Sequence, residues 1–432
     1  MDAVKVGLIG FGTVGKGVVR ILQENGDIIR ERLCFPLELA RIADKDTTSD
    51  RGVAVNPALL TADARALIAD PSIPIVVELI GGLSPAKEFI VEALKRGKCV
   101  VTANKALLAH AWEEVFGAAA AGNGTIGFEA SVGGGIPVIR GLREGLAANR
   151  IQSMHGIING TTNYILSRMT DEGLEYASVL KKAQELGFAE ADPTLDVEGH
   201  DAAHKLAILA SLAFGTHVRL EQVHTEGIGR VTKVDIAYAR ELGYVIKLLA
   251  IAKDAGAAIE VRVHPTLVPH RFLLATVGGA FNAVYVRGDA VGPTLFYGLG
   301  AGSMPTASAV VGDVMEMARR IKAGPGAPPP LAVALRATRE IMPMDEVSSP
   351  CYIRIQALDK PGVLAAVAGI LARNEISIAS VIQKEREKGR AVPIILMTHE
   401  AKGAAVRAAL EEVGKLPTVS GPPLCIRVER GE

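Results

Sequence analysis

The chain opens on a short apolar run, Val4 to Ile9, that passes through glycines into the amphipathic stretch KGVVRILQENGDIIRERL. The run reads as a buried strand and the 3.6-residue recurrence after it as a helix. LELARIAD predicts a second strand ending at Asp44. Ile75 to Ile80 predicts another, ending in Gly81-Gly82, and Cys99 to Thr102 another, ending in Ala103-Asn104-Lys105. TIGFEAS follows and runs into Val132-Gly133-Gly134-Gly135-Ile136-Pro137. Buried strands alternating with helices predict an α/β, doubly wound parallel sheet.

From about residue 150 the alternation is lost. IQSMHGIIN reads as a strand, and Asn159-Gly160-Thr161-Thr162-Asn163 opens a helix. Strand-like runs recur near 223–231, 259–268, 271–277 and 281–286, so an α+β domain with a mixed sheet is expected at 132–302. Near Tyr297, GLGAGSMPTASAVVGDVMEMARRIK gives a glycine-rich loop and a helix, about 303–323, expected to return over the first domain (1–131). GPGAPPPLA marks a boundary, and 324–347 reads as a linker with a helix. After it, CYIRIQAL, a helix through Arg373, ISIASVIQKE, AVPIILMTHE, KGAAVRAALEEVG and LCIRVER follow the order βαββαβ, the ferredoxin-like plan, at 348–432.

Composition narrows the function. The 432 residues carry 47 basic and 47 acidic side chains, so nucleic acid has no electrostatic footprint to bind. Cys34, Cys99, Cys351 and Cys425 are far apart and form no CxxC, which fits reduced thiols in a cytoplasm. No signal peptide is read at the start, and LAILASLAF is too short for a bilayer, so no membrane partner is expected.

The chemistry begins at Gly10-Phe11-Gly12-Thr13-Val14-Gly15, a GxGxxG between strand and helix, which is the Rossmann dinucleotide fingerprint in its proper context. Gly10 allows the turn, Gly12 the approach of a pyrophosphate and Gly15 close helix–strand contact. The amides of Thr13 and Val14 point at phosphate from a helix start. Asp44 suits a ribose 2′-hydroxyl and leans toward NAD, whereas Lys45 and Arg51 suit the 2′-phosphate of NADP. Lys105 lies beyond a strand's carboxyl end at a helix start, where the dipole disfavours a cation, so it is a functional candidate. In AQELGFAEADPTLDVEGHDAAHK, Glu190, Asp192, Asp196, Glu198 and Asp201 crowd toward Lys205. Asp201 and Lys205 share a helix face. A lysine partly desolvated by the apolar helix yet favoured by carboxylates can hold a proton and release it to a substrate oxygen. The alternative is a solvated acidic turn with a snorkelling lysine. His200 and His204 are too few for a catalytic zinc. Thr161 and its neighbours suit a substrate carboxylate, or plain helix capping.

Together these residues resemble the homoserine dehydrogenase family. Its signature is filled from Ala183 through Gly187, Asp192-Pro193, Asp196, Gly199 and Asp201 to Lys205, and GFGTVGKG, TANK, EASVGGGIP and GIINGTTNYIL stand in the family's order. The resemblance implies NAD- or NADP-dependent interconversion of L-aspartate 4-semialdehyde and L-homoserine, as in threonine and methionine biosynthesis. It implies Lys205 as acid/base and Lys105 as a second active-site lysine. Glu190 and Asp201 would contact substrate, with Asp196 nearby, and Gly187 and Gly302 the cofactor. It also implies a monovalent cation, usually sodium, on Glu129, Val132, Gly134 and Ile136, mainly through backbone carbonyls. Phe188 departs from the family, where many relatives have Tyr. A homodimer or homotetramer is expected.

In the tail, LDKPGVL resembles the ACT domains, small amino-acid-binding regulatory modules. The implied effector is threonine, with Asp359, Gly362, Val363 and Leu364 as candidates and Asn374 across the site; a purely structural module is the alternative. Two other functions compete: another NAD(P)-linked oxidoreductase on a small aldehyde or keto acid, and a retired dehydrogenase acting as an amino-acid sensor. Retention of Lys105, Glu190, Asp201 and Lys205 together argues against the sensor.

Overall fold

The computed structural model describes residues 2–324, 338–384 and 390–431. Most of the Pro/Gly cluster, the helix expected after it and the end of ISIASVIQKE lie outside them. The chain divides into two compact units: Met1–Ile151, His204–Leu220 and Asn282–Thr338 in one, and Gln152–Ala203, Glu221–Phe281 and Arg339–Glu432 in the other.

The first unit is built on a parallel sheet of β1 (Val4–Ile9), β2 (Leu37–Ala43), β3 (Leu60–Thr61), β4 (Ile75–Glu78), β5 (Cys99–Thr102) and β6 (Thr125–Gly127), in the order β3-β2-β1-β4-β5-β6. The order reverses between β1 and β4, which opens a crevice at their carboxyl ends. Helices α1 (Thr13–Glu24), α2 (Gly26–Leu33), α3 (Ala64–Ala69), α4 (Ala86–Lys95), α5 (Lys105–Gly122) and α6 (Val138–Arg140) connect and flank it. α12 (Ser303–Ala323) returns against α1, where Gly17 is required: a Cβ there would stand 2.9 Å from the Ala307 methyl. Val6, Leu8, Val18, Val77, Val310 and Val314 form one buried core. TIGFEAS is a strand only to Gly127; Glu129–Ser131 is a 3-10 turn. β11 (Phe281–Gly288) and β12 (Gly292–Leu299) precede α12.

The second unit carries β7 (Ile151–Ile157), α7 (Gly160–Glu172), α8 (Tyr176–Glu185), α9 (Thr194–Val197), β8 (His224–Thr225), α11 (Lys233–Glu241), β9 (Tyr244–Ala255) and β10 (Ala258–Pro269). α10 (His200–Phe214) starts here. The runs near 223–231 and 271–277 are not the strands expected: the first yields only β8, and the second holds a 3-10 turn, Leu273–Thr276. β9, which pattern reading passed over, is instead the long partner of β10, antiparallel in register from Ala258 opposite Ala255 to Pro269 opposite Tyr244.

The tail follows as β13 (Glu340–Ile341), β14 (Ser348–Ser349), β15 (Cys351–Leu358), α13 (Val363–Arg373), β16 (Ile378–Ile382), β17 (Ala391–Thr398), β18 (Ala401–Lys402), α14 (Gly403–Gly414) and β19 (Leu424–Val428). With the short pieces set aside, this is βαββαβ. Its sheet is not separate. β19 pairs with β10, Thr266 opposite Arg427 and Leu267 opposite Val428, so the strand order runs β7-β9-β10-β19-β15-β17-β16. The seam is pinned by buried charge. Glu429 meets Lys253 at 2.7 Å, Arg262 and His155 at 3.4 Å each. Buried Asp235 of α11 accepts from Tyr352 Oη at 3.0 Å and Arg354 Nε at 2.7 Å. Among the described residues no helix is long and apolar enough to cross a membrane.

Candidate active site

In the first unit the fingerprint glycines have separate jobs. Gly10 takes φ +100°, and a Cβ on it would stand 2.8 Å from the Leu79 carbonyl carbon. A Cβ on Gly15 would come within 2.1 Å of the Gly10 oxygen, so the helix can lie this close only with glycine there. Gly12, the N-cap of α1, faces open space and brings no side-chain cap, which leaves the first amides of Thr13 and Val14 outside side-chain capping. The Phe11 amide is spent: it donates to Asp44 Oδ2 at 2.6 Å. Asp44 Oδ1 accepts from the Asp46 amide and from Arg51, so the acid is tied to a cation and to the turn. A cavity of about 600 Å³ is lined by Gly10, Gly12, Asp44, Lys45, Ile80 and Gly81. The space, the open glycine and the exposed amides fit a dinucleotide.

Glu78 was not singled out in the sequence, yet it organises the next turn. It is fully buried at the end of β4. Oε1 accepts from the Ile80 and Gly81 amides, and Oε2 accepts from Thr102 Oγ1 at 2.7 Å. Burial pushes its carboxyl above the usual range. Asn104 donates to the Gly82 carbonyl and caps α5 through the Leu107 amide. This network sets both the glycine turn and Lys105, the first residue of α5, which is half-buried. The only signal was an acid ending an apolar strand.

Lys205 is buried, 8 % exposed. Beside it the buried His204 ring meets His110 edge-on at 5.3 Å. Gly302 takes φ +128° at the N-cap of α12, and Ser303 Oγ donates to the Thr13 carbonyl at 2.5 Å, joining that loop to the fingerprint. Glu129 is buried, with its oxygens accepting from the Ile139 and Arg140 amides. Burial raises its pKa, and the carboxyl of Asp313 lies close, raised by burial to about 7. Gly133 and Gly134 take positive φ between Val132 and Ile136. Asp313 is already paired with Arg140 at 3.2 Å, so Glu129 and the loop's carbonyls are the groups placed to hold a small cation. Among the described residues no group of three His, Cys, Asp or Glu side chains is placed to hold a metal.

In the second unit Asn159 is the hub. Its Oδ1 accepts from the Thr162 amide and Oγ1, which caps α7. Its Nδ2 donates to Asp196 Oδ1 at 2.6 Å and to Asp201 Oδ2 at 2.9 Å. One amide thus brings two signature acids together. Thr161 Oγ1 donates to the Phe188 carbonyl at 2.7 Å, so it fixes the signature loop. The Phe188 ring stacks on Tyr164 at 4.5 Å, keeping an aromatic without the hydroxyl of Tyr. Glu190 is exposed, and its carbonyl is held by Gln184. Gly187 is exposed, with φ +75° and open space at its Cβ position. Asp201 and Lys205 lie one turn apart on α10.

At the tail's turn, Gly362 takes φ +88° as the N-cap of α13, and no side chain caps that helix. Val363 is buried and Leu364 exposed. Asp359 Oδ2 is buried with no hydrogen-bond partner among the described residues. Asn374 donates to the Ile370 carbonyl and to Glu412.

Comparison with known proteins identifies the family. A family model described as homoserine dehydrogenase matches residues 137–315, one described as its NAD binding domain matches 10–129, and an ACT domain model matches 352–418. The chain is 47% identical over 434 residues to a homoserine dehydrogenase of Pseudomonas aeruginosa, covering 100% of each. It is 45% identical over 432 residues to one of Neisseria gonorrhoeae, covering 99% of each. A crystal structure of a homoserine dehydrogenase from Thiobacillus denitrificans superimposes with TM-score 0.94 at 49% identity, over 100% of this chain and 99% of that one. A hyperthermophilic archaeal homoserine dehydrogenase in complex with NADPH matches at TM-score 0.63 and 26% identity, over 77% of this chain and all of that one.

Proposed function

We propose how the residues act from one premise: the chain belongs to the homoserine dehydrogenase family, NAD(P)-dependent oxidoreductases that interconvert L-aspartate 4-semialdehyde and L-homoserine. The nicotinamide, when bound, supplies or takes the hydride. Lys205 gives its proton to the aldehyde oxygen as charge develops there, and takes it back in the reverse direction. Lys105 orients the carbonyl. Asp201 and Glu190 receive the substrate's ammonium, with Asp196 sharing the field, and Thr161 holds the loop that carries Glu190. The observation that carries this reading is the buried Lys205 one turn after Asp201, whose carboxylate is fixed beside that of Asp196 by Asn159.

The fingerprint turn, Gly187 and Gly302 receive the cofactor. NAD is preferred, since Asp44 would repel a 2′-phosphate; Lys45 and Arg51 leave NADP usable. The NADPH complex of the archaeal relative supports a nicotinamide cofactor of either kind. Glu129, with the carbonyls of Val132, Gly134 and Ile136, holds a sodium ion that offsets the buried Glu129 carboxyl. The ACT turn takes threonine, and the unpartnered Asp359 oxygen supports an ammonium there. The enzyme works in the cytoplasm as a dimer or tetramer.

Lys205→Ala tests the chemical assignment. Turnover should fall by orders of magnitude while NADH still binds, read by its fluorescence. Wild-type-like turnover would remove Lys205 as the acid/base.

A further inference from the structure

Among the described residues, the Arg230 guanidinium of the second unit forms no ion pair. A cavity of about 810 Å³ lies between α14 of the tail and the segment that follows β8. Its acids are engaged: Asp345 and Glu411 by Arg407, and Glu226 by Arg427 at 2.8 Å and His224 at 2.7 Å. Arg230 lines the same cavity, pairs with no carboxylate among the described residues, and is fixed by a 2.8 Å bond from Nη2 to the Pro423 carbonyl. It also lines a neighbouring cavity of about 430 Å³, together with Glu198, Glu226 and Cys425, without an ion pair to either acid. Burial pushes the Glu226 carboxyl up, but the His224 bond and the Arg427 charge outweigh it and leave the pKa at about 2. Glu226 is therefore an anion at neutral pH. Met344, Val406, Leu410 and Pro422 supply an apolar wall.

We propose that this cavity is a second ligand site, distinct from the ACT turn, for a free α-amino acid with an apolar side chain: its carboxylate on Arg230, its ammonium on Glu226 Oε2, since His224 and Arg427 both hold Oε1, and its side chain against Val406 and Leu410. A fixed guanidinium favours a carboxylate through paired donors, and the volume is that of an ordinary small-molecule site.

The site touches the loop that carries Asp196 and Asp201, through Val197 and Gly199. The Glu226 amide donates to the Val263 carbonyl, and the Ile228 amide to the Val197 carbonyl at 2.8 Å. A Cβ on Gly227 would stand 2.6 Å from that same Val197 oxygen, and one on Gly199 would stand 3.1 Å from Thr225. Val197 and Gly199 lie between Asp196 and Asp201. A ligand that shifts Glu226 therefore pushes on the loop that positions both acids. Coupling follows if it binds the two loop positions unequally. That consequence, and only that, rests on the proposed use of Asp196 and Asp201.

The test uses the full-length enzyme with L-valine, L-leucine and L-methionine as probes at millimolar concentration. Saturating probe should raise Tm by a few degrees, of the order expected for a ligand at ~100 times its Kd, and change KM for the semialdehyde at least ~3-fold. Arg230→Ala should abolish both responses with basal turnover intact. Glu226→Gln, which keeps the shape and removes the charge, should weaken probe binding ~10-fold or more. Asp359→Ala should leave both responses in place. A response lost in Asp359→Ala and kept in Arg230→Ala overturns the proposal. So does a wild-type enzyme that turns over normally yet shows no Tm shift with any probe. Because turnover is read in the same samples, failure of the catalytic reading stays distinguishable from failure of this site.

Discussion

At Asn159 a single amide ties three segments together: the start of α7, Asp196 before α10 and Asp201 within it. Its donor and acceptor ends are both committed, so it cannot flip without losing a carboxylate. Asn159→Asp would set a third acid against the pair. Each lost bond to a charged acceptor costs about 1.5–3 kcal/mol, so kcat/KM should fall at least ~10-fold, mainly through KM. Unchanged steady-state constants would show that the acids hold their places alone. Lys247 is a second informative residue. Buried in β9, it donates to Asn163 Oδ1 and to the Val277 carbonyl, and burial lowers its pKa from 10.5 to about 8. Between those two values the unfolded chain binds the proton that the folded chain has shed, so stability contributed here rises with pH across that window. Thermal melts at pH 7 and pH 10 should therefore show wild type gaining on Lys247→Met; a constant gap would place the lysine's cost elsewhere. The fingerprint glycines and the signature lysine were legible because local patterns define them. Capping by Asn159 was legible too, but its bonds to the two acids and the Glu78 network were not, because those partners lie 37, 42 and 24 residues away and no periodicity links them.

Among the elements, the βαββαβ order of the tail was legible from alternation and turn residues. β9 was not. YVIKLLAIAKDA is a continuous apolar run with lysines inside it, and a fully buried strand shows no period to separate it from a helix. The turn at 273–276 misled for the opposite reason: RFLLATV is apolar because Leu274 and Val277 are buried, while the backbone forms a 3-10 turn. The pairing of β19 with β10 was beyond reach, since register between strands so distant in sequence depends on tertiary contact. This pairing makes the last strand part of the sheet built on β7, β9 and β10. Glu429→Ala would leave Arg262, 4 % exposed, with Glu260 of its own strand but without its seam partner, and would take from Lys253 the acid it meets. Removing one member of a buried ion pair costs about 3–5 kcal/mol, so Tm should drop by several degrees. A melt unchanged from wild type would mean the seam does not depend on that charge.

For the molecule as a whole, the first unit carries the fingerprint turn, the Glu78 network and both lysines, and the second carries the acids that Asn159 gathers. The proposed chemistry draws on residues of each unit, and the family was legible only from the motifs taken together. The proposed preference for NAD rests on one corner, Asp44 with Lys45 and Arg51, and is read in the same assay as the activity. The most direct measurement is the oxidation of NADH and of NADPH by the purified chain with L-aspartate 4-semialdehyde. The account predicts turnover with both and a higher kcat/KM with NADH. A folded protein that binds either dinucleotide and oxidises neither with this substrate would contradict it.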